Sequence, residues 1–424
     1  MAVWGLVLGI LTGMAGVGAG TGAPTDWGHN QITGQIQVLS TSHVVNFPSN
    51  VTLRLEVRSS AEITGVELFY RLGNQDVTSY GYPEFSNALH VNAEFVLRTD
   101  GDSFLPQGTN ISYRYVITDS SGQVLDTEEY TLEYLDASKA WQRLHVGDME
   151  LLFHDRPADG VEAVAKDAAR SLEEVKQLLG IASISRQKAV ILNTVRESEE
   201  SFPPISRTTR ERHVFGGFAF GELDVFVLAD LDRDGMVHEM THLYMNEALN
   251  APGVRVPAWL NEGLAMYFEA GDKGRGRTVS RAAISGNLLP LRSMGRVPGR
   301  PQDVGVFYAE SWGIVSYLMD KHGDGPMSSF LASLQQGRQL EDAFSGAYGF
   351  GLDELERRWR SSVTRGAAIS ALPDPGTLGT SVIIGAAMAF AMLVIFVRRL
   401  RRVADPAEDP ADDPTENQDV DYYQ

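Results

Sequence analysis

His238-Glu239-Met240-Thr241-His242 lies inside a stretch, 235–249, that reads as a helix. Residues four apart share one helical face, so the two imidazoles can reach a single ion. Glu239 projects beside them and can act as general base toward a water molecule. Such a pentapeptide arises by chance in roughly one chain in a hundred of this size, so it needs a third ligand before it means zinc. The chain has no cysteine, so that ligand must be His, Asp or Glu. Glu247, Glu262 and Glu269 are the nearby carboxylates. Glu247 is five residues past His242 and is rotated about 140° away from it. Glu269 stands near the end of a second predicted helix, 257–270.

Downstream runs Pro257-Ala258-Trp259-Leu260-Asn261-Glu262-Gly263-Leu264-Ala265-Met266-Tyr267-Phe268. This stretch resembles the glutamate-ligand helix of gluzincin metallopeptidases, and W-L-N-E-G resembles their aminopeptidase branch. Nineteen residues separate His242 from Glu262, the spacing of thermolysin-like enzymes and one more than in the aminopeptidases. The resemblance implies a zinc site of His238, His242 and Glu262, with Glu239 as catalytic base. Two neutral imidazoles and one carboxylate leave a fourth zinc position open, as catalysis requires.

Two further pieces carry the resemblance. Phe215-Gly216-Gly217-Phe218-Ala219-Phe220 precedes the helix by one strand. In zincins an edge strand at this place pairs with the extended substrate, which makes Gly217, Phe218 and Ala219 substrate-binding candidates. The aminopeptidases carry G-A-M-E-N here, whose glutamate grips the substrate's amine. No glutamate stands in 216–220, so endopeptidase activity is expected. Tyr308 opens Tyr308-Ala309-Glu310-Ser311-Trp312-Gly313, which looks like the start of the post-glutamate helix. The resemblance makes its phenol a donor to the developing oxyanion. Residues 140–370 as a whole resemble the bacterial peptidase MA-like gluzincins.

Asp230-Leu231-Asp232-Arg233-Asp234-Gly235 imitates a calcium loop, but its twelfth position is Thr241 rather than a bidentate glutamate. Asp232 or Asp234 reads better as a helix N-cap. The remaining histidines, His29, His43, His90, His145, His154, His213 and His322, are scattered. Only His213 lies near the pentapeptide in sequence.

Around this core the chain divides by periodicity. Segments 35–38, 51–57, 64–70, 90–96, 111–119 and 128–134 alternate apolar with polar residues or are rich in β-branched ones. They predict an all-β sandwich over 30–137, similar to immunoglobulin or fibronectin type III modules, of unknown partner. A helix over 160–179, a strand over 188–192 and extended segments 216–219 and 225–229 follow. Helices over 309–322, 327–336, 341–348 and 352–365 complete an α+β zincin-like domain with a helical C-terminal lobe.

Residues 1–23 carry no charge and read as a secretory signal peptide. Residues 377–397 are uncharged, about 31 Å long as a helix, and are followed by four arginines within five residues. They predict a single transmembrane helix with the N-terminal domains outside and the 398–424 tail in the cytoplasm. That tail holds eight acidic residues and, after Arg402, no basic one, so it reads as disordered. The net charge of −19 argues against a nucleic-acid partner. The expected function is a membrane-anchored zinc peptidase acting on protein or peptide. A cell-surface binding protein on a degenerate peptidase scaffold is the alternative.

Overall fold

A computed structural model describes residues 35–75, 77–203, 216–249 and 254–370. The expected signal segment 1–23, the span 377–397 and the tail 398–424 lie outside the described residues. So do His29 and His213.

The first domain is β-rich. Its strands are β1 (Gln37–Asn46), β2 (Asn50–Leu72), β3 (Ser79–Gly81), β4 (Ala88–Arg98), β5 (Asn110–Asp119), β6 (Val124–Asp126) and β7 (Tyr130–Glu133). Where the sequence predicts strands over 51–57 and 64–70, the chain stays extended for the 23 residues of β2. Residues 58–64 contain no glycine or proline to break it. A register shift between Arg58 and Ile63 divides the strand into two arms. The first arm pairs with β1 and β4, the second with β3 and β5, all antiparallel. Val51, Leu53, Leu55 and Val57 from one arm share a core with Ile63, Val66 and Leu68 from the other. The expected sandwich of separate sheets is therefore one seven-stranded sheet whose arms bury a common core.

The second domain opens with a hairpin that the sequence reading does not anticipate, β8 (Gln142–Val146) and β9 (Met149–Phe153). Helix α1 (Ala158–Leu179) stops at Gly180. After it come β10 (Gln187–Ile191), α2 (Val195–Ser201), β11 (Gly217–Phe220) and β12 (Val225–Leu228). The sheet order is β11-β12-β10-β9-β8; β10 runs parallel to both neighbours, and β11 is an antiparallel edge strand. Side chains on β10 alternate between faces, as the period of two demands. Ala189 and Ile191 join α1 (Val161, Ala168, Leu172, Val175) in the main core. Val190 and Leu192 join a second core on the opposite face, with Leu152, Val225 and Val227.

The rest is helical: α3 (Arg233–Leu249), α4 (Ala258–Tyr267), α5 (Arg275–Ser285), α6 (Pro301–His322), α7 (Asp324–Gln335), α8 (Leu340–Tyr348) and α9 (Leu352–Ser370). Trp259, Phe307, Leu318, Phe330, Phe344 and Trp359 are almost wholly buried among them. Each such side chain contributes on the order of 1.5–3 kcal/mol by leaving water.

The expectation of a single-pass membrane protein is corrected. Among the described residues no helix is long and apolar enough to cross a membrane. The two longest, α1 and α6 at 22 residues each, are interrupted by charge, α1 at nearly every turn and α6 at Asp303, Glu310, Asp320 and Lys321.

Candidate metal centre

Helix α3 begins where the Asp232 carboxylate accepts the Gly235 N–H at 2.7 Å, an N-cap. Asp234, the other capping candidate, instead pairs with Arg233 and Lys273. Met236, Val237, Met240, Leu243 and Tyr244 are buried around α3. The Tyr244 hydroxyl donates to Asp148 at 2.7 Å, tying the helix to the β8–β9 turn. Among the residues that α3 presents to the cleft are His238, His242 and Glu239.

Helix α4 runs antiparallel beside it, with Asn261 near His242 and the chain beyond its end near His238. Gly263 explains how close the layers come. A Cβ there would lie 2.5 Å from the Ser311 carbonyl oxygen on α6. Its absence lets α4 seat against α6 and sets the depth of Glu262.

His238 Nε2 and His242 Nε2 stand 3.5 and 3.7 Å from Glu262 Oε2. One ligand atom from each of the three residues lies within 4.8 Å of the others, the one such group among the described residues. Zinc bonds to nitrogen and oxygen of about 2.0–2.2 Å in a tetrahedron put ligand atoms roughly 3.4 Å apart, so the residues fit a zinc ion.

The charges around the site have identifiable causes. Burial opposes charge on His238, but the hydrogen bonds to Glu262 and Glu269 outweigh it and push the imidazole up to about 10. A dication held by His238 would take the place of that extra proton. Burial lowers His242. Glu262 is held down by His238 and His242 despite its burial. Glu239 is pushed up to about 7, first by burial, with Glu262 and Glu269 adding to it and His238 opposing.

Glu269 is the residue that sequence reasoning set aside. Helix α4 ends at Tyr267, and Glu269, just past it, turns back to accept from His238 Nδ1 at 2.7 Å. Arg275 and Lys273 pair with its other oxygen. Burial works against its charge, but His238 and Arg275 hold it down to about 2. An ionised carboxylate there holds the imidazole by Nδ1 and leaves Nε2 facing Glu262, where a metal would be held. The signal available in the sequence was its position two helical turns past Glu262.

Strand β11 runs along the same cleft. The Ala219 N–H donates to the Glu239 carboxyl. A Cβ on Gly217 would lie 2.9 Å from Glu239 Cγ and Oε1, so only glycine lets the strand and this carboxyl pack so closely. Phe218 packs edge-on against Phe202. Tyr308 lines the cleft, but it is the eighth residue of α6 rather than its opening, because Pro301 starts the helix two turns earlier. Burial, with Glu262 and Glu239 nearby, pushes its phenol up, so it remains a proton donor. The cavity measures about 960 Å³ and extends past Glu239 in both directions, toward Asp234 and Lys273 and toward Val254 and Val256.

The other described histidines stand apart from this site. His43 and His90 lie on the β-rich domain. His145 faces Glu150, His154 is buried against Trp141, and His322 packs among Tyr317, Tyr348 and Phe350.

Residues 211–365 match the Peptidase MA superfamily. The match supports a peptidase, and the His-His-Glu group suggests zinc as its metal. Among solved structures the chain is similar to an M1 zinc metallopeptidase from Deinococcus radiodurans, at 13% identity over 80% of this chain and 96% of that one, with a TM-score of 0.37. It is similar to an aminopeptidase N family protein from Idiomarina loihiensis at 11% identity, over 74% of this chain and 69% of that one, with a TM-score of 0.30. A Br derivative of BhCBM56 is similar at 16% identity over 22% of this chain and 88% of that one, with a TM-score of 0.18. No curated protein matches the chain.

Proposed function

We propose that this chain is a zinc-dependent endopeptidase that cleaves extended polypeptide segments. The observation that carries the reading is the placement of Glu239 between the His238, His242 and Glu262 triad and the edge strand β11.

Among the described residues β11 pairs only with β12, so its other edge can take a substrate strand. Antiparallel pairing is the more stable choice. Gly217 lies beside Glu239 and Gly221 beside Asn246, one to two turns further along α3. A substrate antiparallel to β11 then enters with its amino-terminal part near Gly221, Val254 and Val256. Its carboxyl-terminal part leaves past Gly217 toward Asp234 and Lys273. Space on both sides of the base, with no glutamate on β11 to hold a free amine, favours internal cleavage.

His238, His242 and Glu262 would hold the zinc, which when bound would supply Lewis-acid polarisation of the scissile carbonyl and of water. Glu239 takes the proton from the attacking water and delivers it to the departing amine. Its carboxyl beside Gly217 and Ala219 is placed for both halves of that transfer. The Tyr308 phenol donates to the oxygen that gains negative charge as the carbonyl becomes tetrahedral. Glu269 keeps His238 in register throughout.

The test is metal analysis and product mapping on an unfolded protein, using wild type and Glu239→Gln. The variant should keep near-equimolar zinc and lose turnover by about 10²–10⁴-fold. Wild-type cuts should fall inside the chain rather than at its ends. Undiminished cleavage by the variant, or a wild type without zinc, overturns the reading.

A further inference from the structure

We propose that the β-rich domain is a positioning element of the active site. It grips the turn between β11 and β12 and thereby holds β11 against Glu239. The consequence for turnover rests on the peptidase reading above; the consequence for β11 does not.

Strand β11 is four residues long and, among the described residues, has one strand neighbour. As the edge strand of the five-stranded sheet it has, among the described residues, backbone pairing on one side only. Yet Ala219 on this strand donates to the base, and Gly217 leaves it no slack. Whatever fixes the far end of the strand therefore bears on where Ala219 and Gly217 meet Glu239.

That end is the turn over 221–224, and the β-rich domain closes on each part of it. Leu223 packs against the first domain's core and against the second core of the catalytic sheet, bridging them. A Cβ on Gly73 would lie 2.8 Å from Leu223 Cα, so the β2–β3 loop touches the backbone of the turn itself. Asn74 Nδ2 donates to Asp224, and Gln75 Nε2 donates to Glu222 at 3.2 Å. Phe104 packs against Phe220 at 5.9 Å between ring centroids. From within the catalytic sheet, the Lys188 N–H donates to the Asp224 carbonyl at 2.8 Å. Phe220 is the neighbour of Ala219, so the grip is one residue from the amide that meets the base. Leu223, Asn74, Gln75 and Phe104 touch neither metal ligand nor base; they are positioning residues.

The experiment uses the zinc-loaded full chain and three variants, Gly73→Val, Leu223→Ser and Phe104→Ala. Gly73→Val pushes on the turn from the other domain, and the two truncations loosen the grip should that variant fail to fold. Hydrogen exchange of the 217–220 amides is read beside zinc content and steady-state kinetics. We expect unchanged zinc, at least tenfold faster exchange at Ala219, and a kcat/KM at least tenfold lower with kcat falling. Folded, zinc-loaded variants with wild-type protection of β11 overturn the proposal. A melting temperature that drops while exchange and kcat stay fixed does so too, because it shows mere bracing. An inert wild type would count against the peptidase reading alone, since the exchange measurement still decides the grip.

Discussion

At Gly217 the space left by a missing side chain is the space that the Glu239 carboxyl occupies. Alanine there would place a carbon 2.7 Å from Leu228 Cδ2 and 2.9 Å from Glu239 Cγ and Oε1. Such overpacking costs about 1–3 kcal/mol. Gly217→Ala should keep zinc and lower kcat more than tenfold; equal kcat in a folded variant would show that the base has room to spare. Glu269 holds the His238 ring by Nδ1. Glu269→Gln removes the anion that orients the ring, and zinc affinity should fall by about 10–100-fold in a chelator competition. The approach of His238 to His242 is readable in the sequence because four-residue spacing fixes it within one helix. Glu269 is not, because it meets His238 only after the chain has left α4.

Among the elements, α6 departs most from its expected form. The sequence places its start at 309, whereas Pro301 begins it and Val304 and Phe307 continue the buried stripe. Tyr308 and Glu310 therefore sit in mid-helix. Glu310 is fully buried; Oε1 accepts the Leu289 N–H at 2.8 Å, and Oε2 has no partner among the described residues. Burial pushes its carboxyl up to about 7, against the Leu289 N–H and Arg360 that pull it down. The folded chain thus keeps a proton that the unfolded chain releases near 4.5. The stability this group contributes is full below its unfolded pKa and declines as pH rises toward 7, by roughly 3 kcal/mol. Glu310→Gln, neutral throughout, should flatten that decline. Urea unfolding of both proteins at pH 4.5 and 7.5 reads it, and parallel slopes would remove Glu310 as the cause.

Across the whole molecule the two domains are joined by buried polar contacts as well as by the grip on the turn. Lys188 on β10 is 8% exposed and donates to the Gly108 carbonyl at 2.9 Å, to Asn110 at 2.7 Å and to Glu133. Glu133 keeps Arg143 as a second partner, so removing the Lys188 ammonium chiefly leaves the Gly108 carbonyl and Asn110 Oδ1 without their donor, at a cost of about 1–3 kcal/mol. Lys188→Met should therefore destabilise the protein by about that amount and split a single calorimetric transition into two. One undivided transition would mean that the apolar contacts alone couple the domains.

By itself the sequence determined what local periodicity can encode: a β-rich part before a helical one, two histidines on one helical face, and a glutamate beside them. Glu262 was accessible through its motif, although its approach to the histidines is a long-range contact. The tertiary structure alone decided that β2 is one strand with two arms, that Glu269 orients His238, and that the first domain reaches the edge strand of the site. Each of these depends on residues far apart in the chain, where packing between elements rather than the rotation of one helix or strand sets who meets whom. The membrane anchor read from 377–397 has no counterpart among the described residues, whose longest helices carry charge along their length.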